Sequence, residues 1–120
     1  MEKPLFVYYA KCGTCQKALK WLRAHDIDVE LRDILTDNPS QDELKQWVKQ
    51  SHLSEKKFFN TSGLRYKELQ LKTVLPTATA DEMIALLASE GKLVKRPVLV
   101  YQDQVLVGFN ESDYTTLFEK

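Results

Sequence analysis

At 120 residues, with 43% hydrophobic and 28% charged side chains, the chain has the size and make-up of one soluble globular domain spanning residues 1–120. Lysine plus arginine balance aspartate plus glutamate at 17 each, so neither direct nucleic-acid binding nor membrane attachment is expected. Met1-Glu2-Lys3-Pro4 carries no signal-peptide pattern and no apolar run is long enough for a bilayer, which predicts a cytoplasmic protein. Both cysteines fall in a single C-x-x-C, which is not the framework of a secreted disulfide scaffold.

Leu5 to Tyr9 is a compact apolar and aromatic run and predicts a buried strand. Cys12-Gly13-Thr14-Cys15 follows at once. Cys15, Ala18, Leu19 and Leu22 then recur at i, i+3, i+4 and i+7, which predicts a helix from about Thr14 to His25. Val29 to Ile34 alternates apolar and polar, as a half-buried strand does, so the chain opens as a βαβ unit. Asn38-Pro39 breaks the pattern, and Ser40 three residues before Glu43 is a capping box for a helix whose apolar face is Leu44, Trp47 and Val48. Ser54 to Phe59 reads as a short helix and Asn60-Thr61-Ser62-Gly63 as a loop. Thr79 and Glu82 form a second capping box ahead of Met83, Leu86 and Leu87, with Gly91 as the expected C′ stop. This makes a helical insertion of about 39–92. Pro97 to Tyr101 and Val105 to Gly108 read as strands about a turn at Gln102-Asp103-Gln104, hence an antiparallel hairpin. Asn110 is placed to cap a final helix through Leu117 and Phe118.

The chemistry lies in the C-x-x-C. Residues i and i+3 on a first helical turn are neighbours, close enough for a disulfide. Cys12 falls at the helix N-terminus, where free N–H groups and the helix dipole favour a thiolate. Cys12 is therefore the expected nucleophile and Cys15 the resolving thiol. Gly13 leaves room for a partner's backbone or an oxyanion, Thr14 is a candidate anion contact, and Lys11 adds a nearby positive charge. The alternatives are two inert core thiols or half of a zinc knuckle. Zinc needs two further ligands, and His25 and His52 do not have zinc-finger spacing. Both histidines read as surface residues near helix ends, and Trp21, Trp47, Phe58 and Phe59 as packing. In Lys95-Arg96-Pro97, the proline is ordinary at a strand start, yet beside a C-x-x-C it matches the cis-proline loop of thioredoxin-like folds. Arg96 would then aim a forked cation at Cys12. The 60–63 loop has the makings of an anion site but also ordinary loop composition, and Gly108 reads as a bend.

Taken together the chain resembles the ArsC/Spx family. The residues that carry the resemblance are Tyr9-x-x-Cys12-x-x-Cys15 with Gln16-Lys17-Ala18, Pro39-Ser40 with Glu43-Leu44, Phe59-Asn60-Thr61-Ser62-Gly63, Lys95-Arg96-Pro97 and Val107-Gly108-Phe109. That family holds glutaredoxin-linked arsenate reductases and Spx-type regulators of RNA polymerase. The resemblance implies an α/β fold, a thioredoxin-like mixed four-stranded sheet with flanking helices and a helical insertion between strands 2 and 3. It also implies a thiol oxidoreductase with no bound cofactor, using glutathione and glutaredoxin or thioredoxin as reductant. In such a reductase Cys12 attacks the oxyanion, a glutathione thiol displaces the adduct, and arginines hold the anion. Arg96 matches one of three such arginines, Asn60 takes the place of another, and Val107-Gly108-Phe109 supplies none. Serine is usual where this chain has Cys15. Weak arsenate binding is therefore expected, and a glutathionylated or other small thiol is the expected substrate, with an oxyanion and a redox partner protein as the further candidates. The alternative function is a redox switch that binds the RNA polymerase α-subunit through the C-x-x-C. Against it, the chain stops at Lys120, where those regulators are expected to run on.

Overall fold

A computed structural model describes residues 3–119. Strand β1 is Leu5–Tyr8, and helix α1 is Gly13–Ala24. The helix buries Cys15, Ala18 and Leu22, the stripe that the sequence period marks out. The chain leaves α1 through Asp26, whose φ of 57° is left-handed, and enters strand β2, Glu30–Asp33. Helix α2, Gln41–Ser51, begins at a complete Ser40/Glu43 capping box and buries Leu44, Trp47 and Val48. A 3-10 turn at Glu55–Phe58 and two short helices, α3 at Leu64–Glu68 and α4 at Leu71–Val74, follow. Helix α5, Ala80–Ser89, starts at the Thr79/Glu82 box. The hairpin is β3, Val98–Tyr101, and β4, Gln104–Val107; helix α6, Glu111–Phe118, is capped by the Asn110 side chain. Its turn is tighter than expected: Gln104 already pairs with Tyr101, and Gln102 turns the chain at φ 58°.

The sheet order is β2-β1-β3-β4, with β1 parallel to β2 and antiparallel to β3. Alternation along the strands divides the core in two. Phe6 and Leu99 face one way and pack with Ala18, Leu22 and Tyr114 beneath α1 and α6. Val7 and Val98 face the other way, into a larger cluster with residues of α2, α4 and α5. This is the expected thioredoxin-like arrangement, with the helices between β2 and β3 covering one face of the sheet. It brings the C-terminal end of β1, the start of α1, the loop before β3 and the loop after β4 together.

Two contacts fix the insertion to the sheet. Arg32 of β2 grips both carboxylate oxygens of Glu43 in α2, at 2.6 and 2.9 Å, and its guanidinium lies 5.7 Å from the Trp47 ring centre. Gly91 is the second, and here the sequence expectation is corrected. It is not a left-handed C′ stop: α5 ends as Glu90 turns extended, and Gly91 opens a 3-10 turn, Gly91–Leu93. A Cβ at Gly91 would press into the Ile34 carbonyl and lie 2.7 Å from Asn38 Oδ1. The glycine is there for close approach rather than for a positive φ.

Candidate active site

Cys12 caps α1. Its backbone is extended (φ −87°, ψ 116°), its N–H donates to the Tyr9 carbonyl at 2.9 Å, and its carbonyl accepts from Gln16 N–H at 3.2 Å. The Gln16 side chain reaches back to the Ala10 carbonyl at 2.8 Å, so the 9–12 turn is tied at both ends. Cys12 Sγ accepts the Cys15 N–H at 3.4 Å, a thiol doing the work of an N-cap oxygen. The first turn of α1 carries no acidic residue to oppose a thiolate there.

The two thiols are free and unequal. Cys12 is half-buried and Cys15 fully buried. Burial pushes the Cys12 thiol up, but the Cys15 thiol and N–H, the Arg96 charge and the Thr14 N–H together outweigh it and hold Cys12 below a free thiol. For Cys15 burial prevails, against an opposing hydrogen bond at Tyr9, and its pKa is pushed up to about 12. Cys12 is thus the thiol poised to ionise, with Cys15 protonated behind it. Tyr114 shares the buried space behind Cys15. Burial first, and then Cys15, raise its hydroxyl, which has no hydrogen-bond partner among the described residues.

Cys12 opens into a cleft of about 470 Å³. Thr14 from α1, Asn60 and Ser62 from the 60–63 loop, Lys95 and Arg96 ahead of β3, and Gly108, Asn110 and Asp113 after β4 line it. A short bridge assembles these loops: Phe59 pairs with Val94, Asn60 N–H donates to Leu93 at 2.8 Å, and Lys95 N–H to Phe58 at 2.7 Å. On the far side Gly108 N–H donates to the Pro97 carbonyl at 2.8 Å, and the Arg96–Pro97 bond is cis.

The family model for the ArsC family matches residues 7–117. The chain belongs to the ArsC family. Protein YusI of Bacillus subtilis, whose function is uncharacterized, is 47% identical over 109 residues, 91% of this chain and 92% of that one. The regulatory protein MgsR of the same organism is 30% identical over 121 residues, covering all of this chain and 94% of its own length. Among solved structures, an ArsC family related protein from Bacteroides fragilis is 53% identical, with a TM-score of 0.93 over 97% of this chain and 99% of that one.

Within this ArsC fold the structure gathers Cys12, Thr14, Asn60 and Arg96 on one cleft. The Asn60 side chain lies close against Gly63, where a Cβ would come within 2.7 Å of its amide nitrogen. Gly13 is exposed, and a Cβ there would meet nothing within 4 Å, so the approach to Cys12 is open on that side. Lys11 is exposed and is not among the residues that line the cleft. Arg96 acts on Cys12 through its field, with no hydrogen bond between them among the described residues. Its guanidinium lies 5.1 Å from the Tyr9 ring centre, and Nη1 spans the carbonyls of Gly91, Lys92 and Val94 at 3.3–3.4 Å. Its Nε is buried without a partner among the described residues.

Ser62, Asn110 and Asp113 also reach the cleft; sequence reasoning weighed Ser62 only as part of the 60–63 loop and assigned neither Asn110 nor Asp113 to the site. The Asn110 cap was legible, but its place beside Cys12 follows from the β3–β4 hairpin returning α6 to the end of β1. His25 stacks on Trp21 at the end of α1 and His52 ends α2 at φ 61°, both exposed, as expected. Among the described residues no group of three or more His, Cys, Asp or Glu side chains gathers to hold a metal, and no helix is long and apolar enough to cross a membrane.

Proposed function

We propose that this ArsC-family protein is a thiol oxidoreductase in which Cys12 attacks and Cys15 resolves. The observation that carries the reading is the inequality of two thiols on one helical turn: Cys12 half-exposed, capping α1 and held below a free thiol; Cys15 buried and protonated. On a mixed disulfide RS–SR′, the Cys12 thiolate forms a bond to one sulfur and R′S⁻ leaves. Cys15 gives its proton to solvent and attacks Cys12 Sγ, RS⁻ leaves, and the protein holds a Cys12–Cys15 disulfide. A dithiol or thiol reductant of the reducing cytoplasm, thioredoxin or glutathione with glutaredoxin, returns both thiols.

The same thiolate has the chemistry to attack arsenate, but Arg96 is the one forked cation on the cleft among the described residues, and one of its arms is tied to backbone carbonyls. Small mixed disulfides are therefore the favoured substrates. Turnover of a mixed disulfide and of arsenate by wild type, Cys12→Ser and Cys15→Ser tests this. The reading expects disulfide turnover in wild type and none in Cys12→Ser; equal turnover in those two overturns it.

The full-length similarity to a regulatory protein favours a second reading, a regulator; that it is a redox switch whose partner is the RNA polymerase α-subunit follows from the resemblance to Spx-type proteins. A pull-down with that subunit's C-terminal domain under oxidising and reducing conditions tests it, and binding indifferent to redox state counts against it.

A further inference from the structure

We propose that Lys95 is the second cation of the cleft, held over Gly108 so that with Arg96 it draws a carboxylate-bearing small molecule to Cys12. The proposal deepens the reading of Cys12 as the reacting thiol and rests on it.

The placement starts in the backbone. Lys95 N–H donates to Phe58 at 2.7 Å beside the Phe59–Val94 bridge, so residue 95 is anchored where the 60–63 loop meets the start of β3. Gly108 lies opposite at φ +80°, with its N–H bonded to Pro97. A Cβ at position 108 would lie 3.3 Å from Lys95 Cε and 3.8 Å from its Nζ. The Lys95 chain therefore crosses the space that any side chain at 108 would need. The glycine serves two ends there, since an L side chain is also strained at that φ.

Charge gives this placement its consequence. Among the described residues, the acidic and basic side chains that line the cleft besides Cys12 are Lys95, Arg96 and Asp113. With the Cys12 thiolate and Asp113 both counted, Lys95 and Arg96 bring the lining to balance; without Lys95 it is net negative and repels an incoming anion. Arg96 spends Nη1 on three carbonyls, whereas Lys95 has no ion-pair partner among the described residues. A compact ammonium on a flexible stem meets an incoming carboxylate as a point charge, and its rotatable donors need no fixed bidentate geometry.

The test compares iodoacetate with iodoacetamide as alkylating agents of reduced protein, with the modified residue mapped to Cys12 by mass. Both reagents need the thiolate, so the ratio of their rate constants cancels its fraction and reads how the cleft receives a carboxylate. Lys95→Gln is expected to lower the iodoacetate-to-iodoacetamide ratio by roughly three- to tenfold, the order for one unit charge beside a water-filled centre. Lys95→Arg retains the ratio, as does Lys72→Gln at an exposed position of α4. Raising salt shrinks the difference between wild type and Lys95→Gln. A Lys95→Gln ratio equal to that of wild type overturns the role of Lys95. Should Cys12 react with iodoacetamide no faster than a free thiol, the reading of Cys12 fails instead, and the ratio still decides Lys95.

Discussion

Glu43 stabilises the fold in two ways at once, as a helix cap and as an ion pair, and Glu43→Gln separates them. Its carboxylate accepts the Ser40 N–H of the capping box at 3.0 Å and the two Arg32 bonds at 2.6 and 2.9 Å. Glutamine can keep the cap, so the substitution removes chiefly the ion pair. The hydrogen bond from Arg32 is the main cause that depresses the Glu43 pKa, to about 2, with burial opposing it. Against an unfolded value of about 4.3, the shift is worth at most about 3 kcal/mol. The Glu43 side chain is 39% exposed and that of Arg32 12%, so solvent screening brings the expected loss to about 1–2 kcal/mol. For a folded-state pKa below the unfolded one, the contribution is complete above the unfolded pKa and is lost as pH falls through the folded one. The gap between wild type and Glu43→Gln should therefore be full at pH 7 and about half as large at pH 3. Urea unfolding at both pH values measures it. A gap at pH 7 below about 0.5 kcal/mol, or one that does not narrow at pH 3, refutes the reasoning.

The rate of Cys12 alkylation should rise with pH about a midpoint below the ~8.5 of a free thiol, while Cys15 stays unmodified across that range; a Cys12 midpoint at or above that value contradicts the capping argument. Gly13→Ala meets open space at the first position of α1 and is expected to be neutral or stabilising by up to about 1 kcal/mol. Gly91→Ala forces a Cβ against Ile34 and Asn38 and should cost about 1–3 kcal/mol, read as a lower urea midpoint. Tyr114→Phe removes a buried hydroxyl that has no partner among the described residues, and thermal unfolding should show no loss, or a gain of up to about 1 kcal/mol; a loss above that size would point to a bonded hydroxyl.

Much of the fold was legible because its signals are local. The Ser40/Glu43, Thr79/Glu82 and Asn110 caps sit where the sequence puts them, since each is made within four residues. Cys12 at a helix start is local in the same way. The segment from Leu64 to Thr77 showed no pattern: α3 and α4 are too short for a helical period, and Gln70 separates them at φ 54°. Gly91 looked like a helix stop because its real reason, the Ile34 carbonyl, lies nearly sixty residues away. Tyr9 read as the end of a strand; it falls beyond β1, where its carbonyl holds Cys12 N–H and its ring faces Arg96. Lys95 and Asp113 gain their place beside Cys12 only when the hairpin and α6 close over the end of β1, which no local signal announces.

The central claim is that Cys12 attacks and Cys15 resolves, and trapping the intermediate tests it most directly. Reduced wild type, Cys15→Ser and Cys12→Ser are each exposed to a small mixed disulfide and measured by intact mass. The account predicts an intramolecular disulfide in wild type, a stable single-thiol adduct on Cys12 in Cys15→Ser, and no adduct in Cys12→Ser. An adduct that forms on Cys15 in Cys12→Ser as fast as on Cys12 in Cys15→Ser would contradict it.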